Sequence, residues 1–151
     1  MTYDELLKEA DNLNVRVKEL DLRTYDGYCH GNRIAIDKKL KTNKEKACIL
    51  AEELGHYHTT YGDITNQNKI ENVKQEILAR RWGYERLVGI VDIINAHRNG
   101  VRNRHELAEF LDVTEEFLCE AIEYYKCKYG LYYQIDNYLI YFDRLGVMEI
   151  F

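Results

Sequence analysis

The residues that could do chemistry stand together in one short stretch, which reads E-E-L-G-H from Glu52 to His56. This is the helix-borne zinc-protease motif H-E-x-x-H with glutamate in place of its first histidine. On an α-helix, residues four apart lie on one face, about 40° apart around the axis. Glu52 and His56 could therefore bind one metal ion. Glu53, the next residue around the helix, could take a proton from the attacking water.

A third metal ligand must come from elsewhere, because a catalytic zinc ion usually has three protein ligands and a water molecule. Glu76 follows His56 by twenty residues, which is enough for a turn and an antiparallel return. Glu71 is its main rival on the same predicted helix, and Asp63 is nearer in sequence. His58, two residues after His56, points to another side of the helix. The five-residue pattern alone also fits a solvated Glu/His face, since short motifs often match by chance.

Hydrophobic periodicity and turn signals give the elements that must position these residues. They predict helices over residues 2–13, 42–58, 69–88, 90–97, 104–111 and 114–129. They predict short strands over residues 15–20, 28–30, 33–37, 132–135 and 138–142, with a loop over residues 60–68. Helices outnumber strands, so the predicted fold class is α+β with a small antiparallel sheet.

Composition narrows the class of protein. The chain has 151 residues, with 21 basic and 26 acidic side chains and a net charge of −5. This length suits one domain, or one domain with a small appendage. The acidic balance argues against a nucleic-acid binder. We find no signal-peptide pattern or bilayer-length apolar run and expect a cytoplasmic protein with reduced thiols. None of the four cysteines forms a C-x-x-C pair, which argues against a zinc knuckle.

Three segments resemble the ImmA/IrrE family of metallo-endopeptidases, most closely its short phage and mobile-element members. They are Gly27-Tyr28, residues 32–37 (NRIAID) and residues 45–56 (EKACILAEELGH). The later stretch KQEILARRW, residues 74–82, resembles the second helix of the family, which carries a glutamate ligand. The likeness extends more loosely to the C-terminus and covers essentially the whole chain.

The resemblance implies a zincin-like core and the cleavage of a helix-turn-helix repressor, which derepresses a mobile element. It implies that Glu53 is the catalytic residue and that His56 and Glu76 are metal ligands. Glu52 occupies the position of the usual histidine ligand. We expect the core to occupy residues 1–90. Residues 91–151 would form a helical extension with a terminal hairpin, packed on that core.

The glutamate at position 52 has a chemical consequence. Two carboxylates and one imidazole neutralise a divalent charge, so the ion should polarise its water less than one held by neutral ligands. Carboxylate also shifts the preference from Zn²⁺ towards harder ions such as Mn²⁺. We therefore expect a slow or weakly metallated peptidase. The alternative is an inactive family member that binds and sequesters a repressor.

The C-terminal half contains a second motif. From Leu107 to Thr114 the chain has the L-A-x-x-L-x-V-T spacing of a helix-turn-helix, which raises DNA binding as a function. Between Glu106 and Glu123, however, there are seven acidic residues and no basic ones. Phosphates would repel such a surface. We expect instead a helix pair that complements a basic protein partner.

Overall fold

The computed structural model of the protein describes residues 1–59 and 69–150, and for residues 69–71 it describes the backbone alone. The helices in this part are α1 (Tyr3–Asn12), α2 (Asn43–Thr59), α3 (Lys69–Leu87), α4 (Ile90–Arg98), α5 (Arg104–Leu111) and α6 (Glu115–Tyr129). The strands are β1 (Arg16–Leu20), β2 (Gly27–His30), β3 (Arg33–Asp37), β4 (Tyr132–Ile135), β5 (Tyr138–Tyr141) and β6 (Gly146–Glu149). The α+β class is confirmed. The predicted loop over residues 60–68 lies outside the described residues.

The chain divides into two compact units, Met1–Gly83 and Tyr84–Phe151. The predicted assignment of residues 1–90 to a peptidase core and 91–151 to an extension stays a prediction. None of the described helices is both long and apolar enough to cross a bilayer.

The sheet of the first unit is mixed, with strand order β1-β3-β2. Strands β2 and β3 pair antiparallel, but β1 pairs parallel with β3. The prediction of a purely antiparallel sheet was therefore wrong in this detail. The physical reason lies in burial: Ile34 and Ile36 of β3 are buried, so the most apolar strand takes the centre. The charged strand β1 takes an edge, where its side chains reach water.

Helix α2 packs against this sheet and against α1. Its apolar stripe, which consists of Ala47, Leu50, Ala51 and Leu54, is fully buried. At the start of this helix, the hydroxyl of Thr42 accepts a hydrogen bond from the backbone N–H of Glu45 at 3.2 Å. Two polar residues of this helix, Glu53 and His56, are also buried, and both belong to the candidate site.

In the second unit, α5 packs on both α4 and α6. Strands β4, β5 and β6 form an antiparallel meander, in which β4 contacts α6 and β6 contacts α4. The hairpin of β4 and β5 was predicted, whereas β6 was not. The buried side chains Leu118, Ile122, Tyr125, Ile140 and Phe142 form much of the core.

Candidate metal centre

The candidate site forms where α2 crosses α3, and two small residues permit the close approach. A Cβ atom added to Gly55 would lie 2.2 Å from the backbone oxygen of Ala79, which is itself fully buried. Only a residue without a side chain fits there. On α2, Gly55 directly precedes His56, and on α3 Ala79 follows Glu76 by less than one turn. The backbone contact therefore brings the polar side chains of both helices together.

Glu52, His56 and Glu76 each present one ligand atom within 4.8 Å of the other two. His56 Nε2 and Glu76 Oε2 lie 3.3 Å apart. In a tetrahedral site with bonds of about 2.0–2.2 Å, ligand atoms lie about 3.3–3.6 Å from one another. The three side chains therefore fit a divalent ion after small rotations of the carboxylates. Among the residues that the structure describes, no other group of three such side chains meets this distance criterion.

Glu53 lies beside this group and is buried, with 7% of its surface exposed. It faces strand β2 at Gly27, where an added Cβ would lie 2.8 Å from Glu53 Oε1 and 2.6 Å from Ile49 Cγ2. The glycine thus makes room for the carboxyl group. Burial raises the pKa of Glu53 to about 8; the charge of His56 opposes this rise, and the charges of Glu52 and Glu76 add to it. A carboxyl group with a pKa near neutrality can both accept and release a proton.

Opposing effects act on the pKa of His56. Burial alone would lower the pKa of the His56 imidazole, but the hydrogen bond to Glu76 and the charges of three carboxylates outweigh it, so the pKa is raised. The same hydrogen bond lowers the pKa of Glu76. Three acidic side chains around one imidazole give the site a negative field, which attracts a cation.

Arg80 also reaches the site, and sequence reasoning did not single it out. Its Nε lies 3.4 Å from Glu52 Oε1. Arg80 follows Glu76 by four residues on α3 and so lies on the same face. That spacing was visible in the sequence, but the proximity to Glu52 depends on how the two helices cross.

The other candidates differ in position. His58 stacks on the ring of Trp82, with centroids 4.7 Å apart, and does not join the ligand group. Cys29 does not join the ligand group either, and burial raises the pKa of its thiol to about 12, with the Glu53 charge adding to the rise. Asp63 and the side chain of Glu71 lie outside the described residues.

The predicted helix pair in the second unit is present. Helix α5 ends at Leu111, and the next residue, Asp112, caps it in the left-handed conformation (φ 57°). Thr114 caps α6 by accepting a hydrogen bond from the N–H of Phe117. Val113 between the helices is buried. The exposed positions near the start of α6 are acidic, namely Glu115, Glu116, Glu120 and Glu123. This helix presents carboxylates where a DNA-reading helix would present basic or neutral side chains.

Comparison with known proteins identifies the family. A family model described as the IrrE N-terminal-like domain of Peptidase_M78 matches residues 10–123. The chain therefore belongs to this metallopeptidase family, and the resemblance found in the sequence is confirmed. No curated protein and no solved structure matches the chain. Membership supports a metallopeptidase-type enzyme, a metal and a protein substrate. The matched residues include the whole candidate metal centre.

Proposed function

We propose that this chain is a metal-dependent endopeptidase that cleaves a helix-turn-helix repressor of a phage or mobile element in the cytoplasm of its bacterial host. The observation that carries the proposal is the convergence of Glu52, His56 and Glu76 beside the buried carboxyl group of Glu53. In this proposal, residues 1–90 are the peptidase core, and residues 91–151 are an extension that helps to hold the substrate.

The proposed ligands are Glu52, His56 and Glu76, and the proposed ion is Zn²⁺ or a harder ion such as Mn²⁺. When bound, the ion supplies a Lewis acid that makes a water molecule more acidic and polarises the scissile carbonyl. Glu53 accepts the proton of the attacking water and then passes it to the leaving amine nitrogen. The burial of Glu53 supports this role, because it keeps the proton-bound form accessible near neutral pH.

The charge of the second unit supports a basic partner. Glu116 and Glu123 are exposed on one side of α6, and Glu106 and Glu109 are exposed on α5. DNA-binding domains present basic surfaces to phosphates, so the acidic helix pair would attract such a domain and repel DNA. Retention of the protein on DNA that falls with rising salt would contradict this part of the proposal.

Glu52 favours a second candidate function. If the Glu52 carboxyl group, which stands where the motif has a histidine, weakens ion binding or catalysis, the chain could bind and sequester a repressor without cutting it. The two functions share a partner and differ in metal content and turnover.

One experiment separates them. Metal content is measured by elemental analysis of wild type, Glu53→Gln and His56→Ala, and each protein is incubated with the repressor encoded beside its gene. The peptidase proposal expects metal in wild type and Glu53→Gln, little metal in His56→Ala, and cleavage by wild type alone. Repressor binding without metal or cleavage would instead support sequestration. Cleavage by Glu53→Gln at the wild-type rate would exclude Glu53 as the proton carrier.

A further inference from the structure

The first ligand position carries a charge that the histidine of H-E-x-x-H lacks. With Glu52 in this position, three carboxyl groups, those of Glu52, Glu53 and Glu76, surround His56 on two crossing helices. The like charges of the Glu52 and Glu76 carboxylates push these two side chains apart when no ion lies between them. A flexible glutamate is also less fixed in direction than an imidazole, because it has one more rotatable bond. A site of this kind therefore needs something that keeps the Glu52 side chain in place and fixes the direction of its carboxylate.

Arg80 has the position and the chemistry for both tasks. Its Nε lies 3.4 Å from Glu52 Oε1, and a carboxylate that accepts a hydrogen bond on one oxygen keeps the other for an ion. The pair is partly open to water, with the Arg80 side chain 55% exposed and the Glu52 side chain 27% exposed. An exposed ion pair adds little to folding stability. The ion pair can still matter for metal binding, because side chains that orient metal ligands change the affinity for the metal strongly.

We propose that Arg80 is a positioning residue for Glu52. The guanidinium holds one carboxylate oxygen and turns the other towards the ion. This inference rests on the proposed metal site and concerns a residue outside the ligand set. It explains how a glutamate can serve in a position where the motif has a histidine.

The test is a double-mutant cycle between positions 52 and 80, read by isothermal titration of the metal-free protein with Zn²⁺. Arg80→Gln should bind Zn²⁺ about tenfold or more weakly than wild type. Arg80→Lys should recover part of this loss, because it keeps the charge but not the planar donor. In the Glu52→His background, Arg80→Gln should change the affinity less than about twofold, since an imidazole at position 52 presents no carboxylate oxygen to the guanidinium. Arg81→Gln, an exposed charge removal next along the helix, is the matched control.

A spectroscopic measurement supplements the titration. The visible absorption of bound Co²⁺ reports the ligand arrangement, and Arg80→Gln should alter it while Arg81→Gln should not. Circular dichroism should show all variants folded. Unchanged or tighter Zn²⁺ binding in Arg80→Gln would overturn the proposal and leave the peptidase function intact. An equal loss in both backgrounds would also overturn it, because the effect would not pass through Glu52. If wild type binds no ion, both proposals fail. If Glu52→His does not fold, the comparison of Arg80→Gln, Arg80→Lys and Arg81→Gln still decides.

Discussion

Replacing Gly55 by alanine should separate the two helices that form the site. The new Cβ would lie 2.2 Å from the backbone oxygen of Ala79, whereas side-chain contacts at Cβ essentially never fall below 3.0 Å. The helices must therefore move apart or slide by at least 0.8 Å at this point. The obstructing atom belongs to a helix backbone and cannot rotate away.

This shift should weaken both the fold and the metal site. Forcing extra volume into a packed contact costs about 1–3 kcal/mol, and the better helix propensity of alanine returns about 1 kcal/mol. The free energy of unfolding should thus fall by about 0–2 kcal/mol. Metal ligands must be held within about 0.5 Å of their productive geometry. Since Glu76 lies on the displaced helix, Zn²⁺ affinity should fall more than stability does.

Gly83→Ala is the matched control on the same pair of helices. An added Cβ there would lie 3.4 Å from its nearest neighbour, a backbone atom of Ala51. This is an ordinary contact, so the variant should gain about 0.5–1 kcal/mol from helix propensity. The assays are urea unfolding and isothermal titration with Zn²⁺. If Gly55→Ala matched Gly83→Ala in both urea midpoint and Zn²⁺ affinity, the close crossing would have no role in forming the site.

Three further predictions each concern the replacement of one side chain. The backbone N–H of Lys39 donates a hydrogen bond to the Asp37 carboxylate and lowers the pKa of that carboxyl group. The ionised Asp37 therefore stabilises the fold at pH values above its unfolded pKa of about 4, and this stabilisation is lost as the pH falls through the lower pKa of the folded state. Asp37→Asn should therefore be less stable than wild type at pH 7, and urea titrations should show the gap closing below about pH 4. Tyr125→Phe should lower the free energy of unfolding by about 1–2 kcal/mol, because the buried hydroxyl donates to the Val88 carbonyl at 2.6 Å; an unchanged urea midpoint would contradict this. Glu52→His should raise Zn²⁺ affinity in a calorimetric titration, and the absence of any gain would count against Glu52 as a ligand.

Local signals in the sequence determined most of the elements. Hydrophobic periodicity predicted helix α2, and the four-residue interval between Glu52 and His56 predicted their common side. The strand Arg33–Asp37 was predicted with the bounds that the structure has. Helix periodicity and turn chemistry depend on residues only a few positions apart, and they can therefore be read from the chain alone.

Tertiary structure decided what the local signals could not. The parallel pairing of β1 with β3 depends on which strand buries its side chains on the sheet, and the approach of Glu76 and Arg80 to Glu52 depends on the contact between Gly55 and Ala79. These arrangements join residues more than ten positions apart, and no local periodicity specifies them. The sequence alone thus determined a helix with two candidate ligands and a candidate proton carrier. Only the packing of backbone on backbone brought the third carboxylate and its arginine neighbour to the same place.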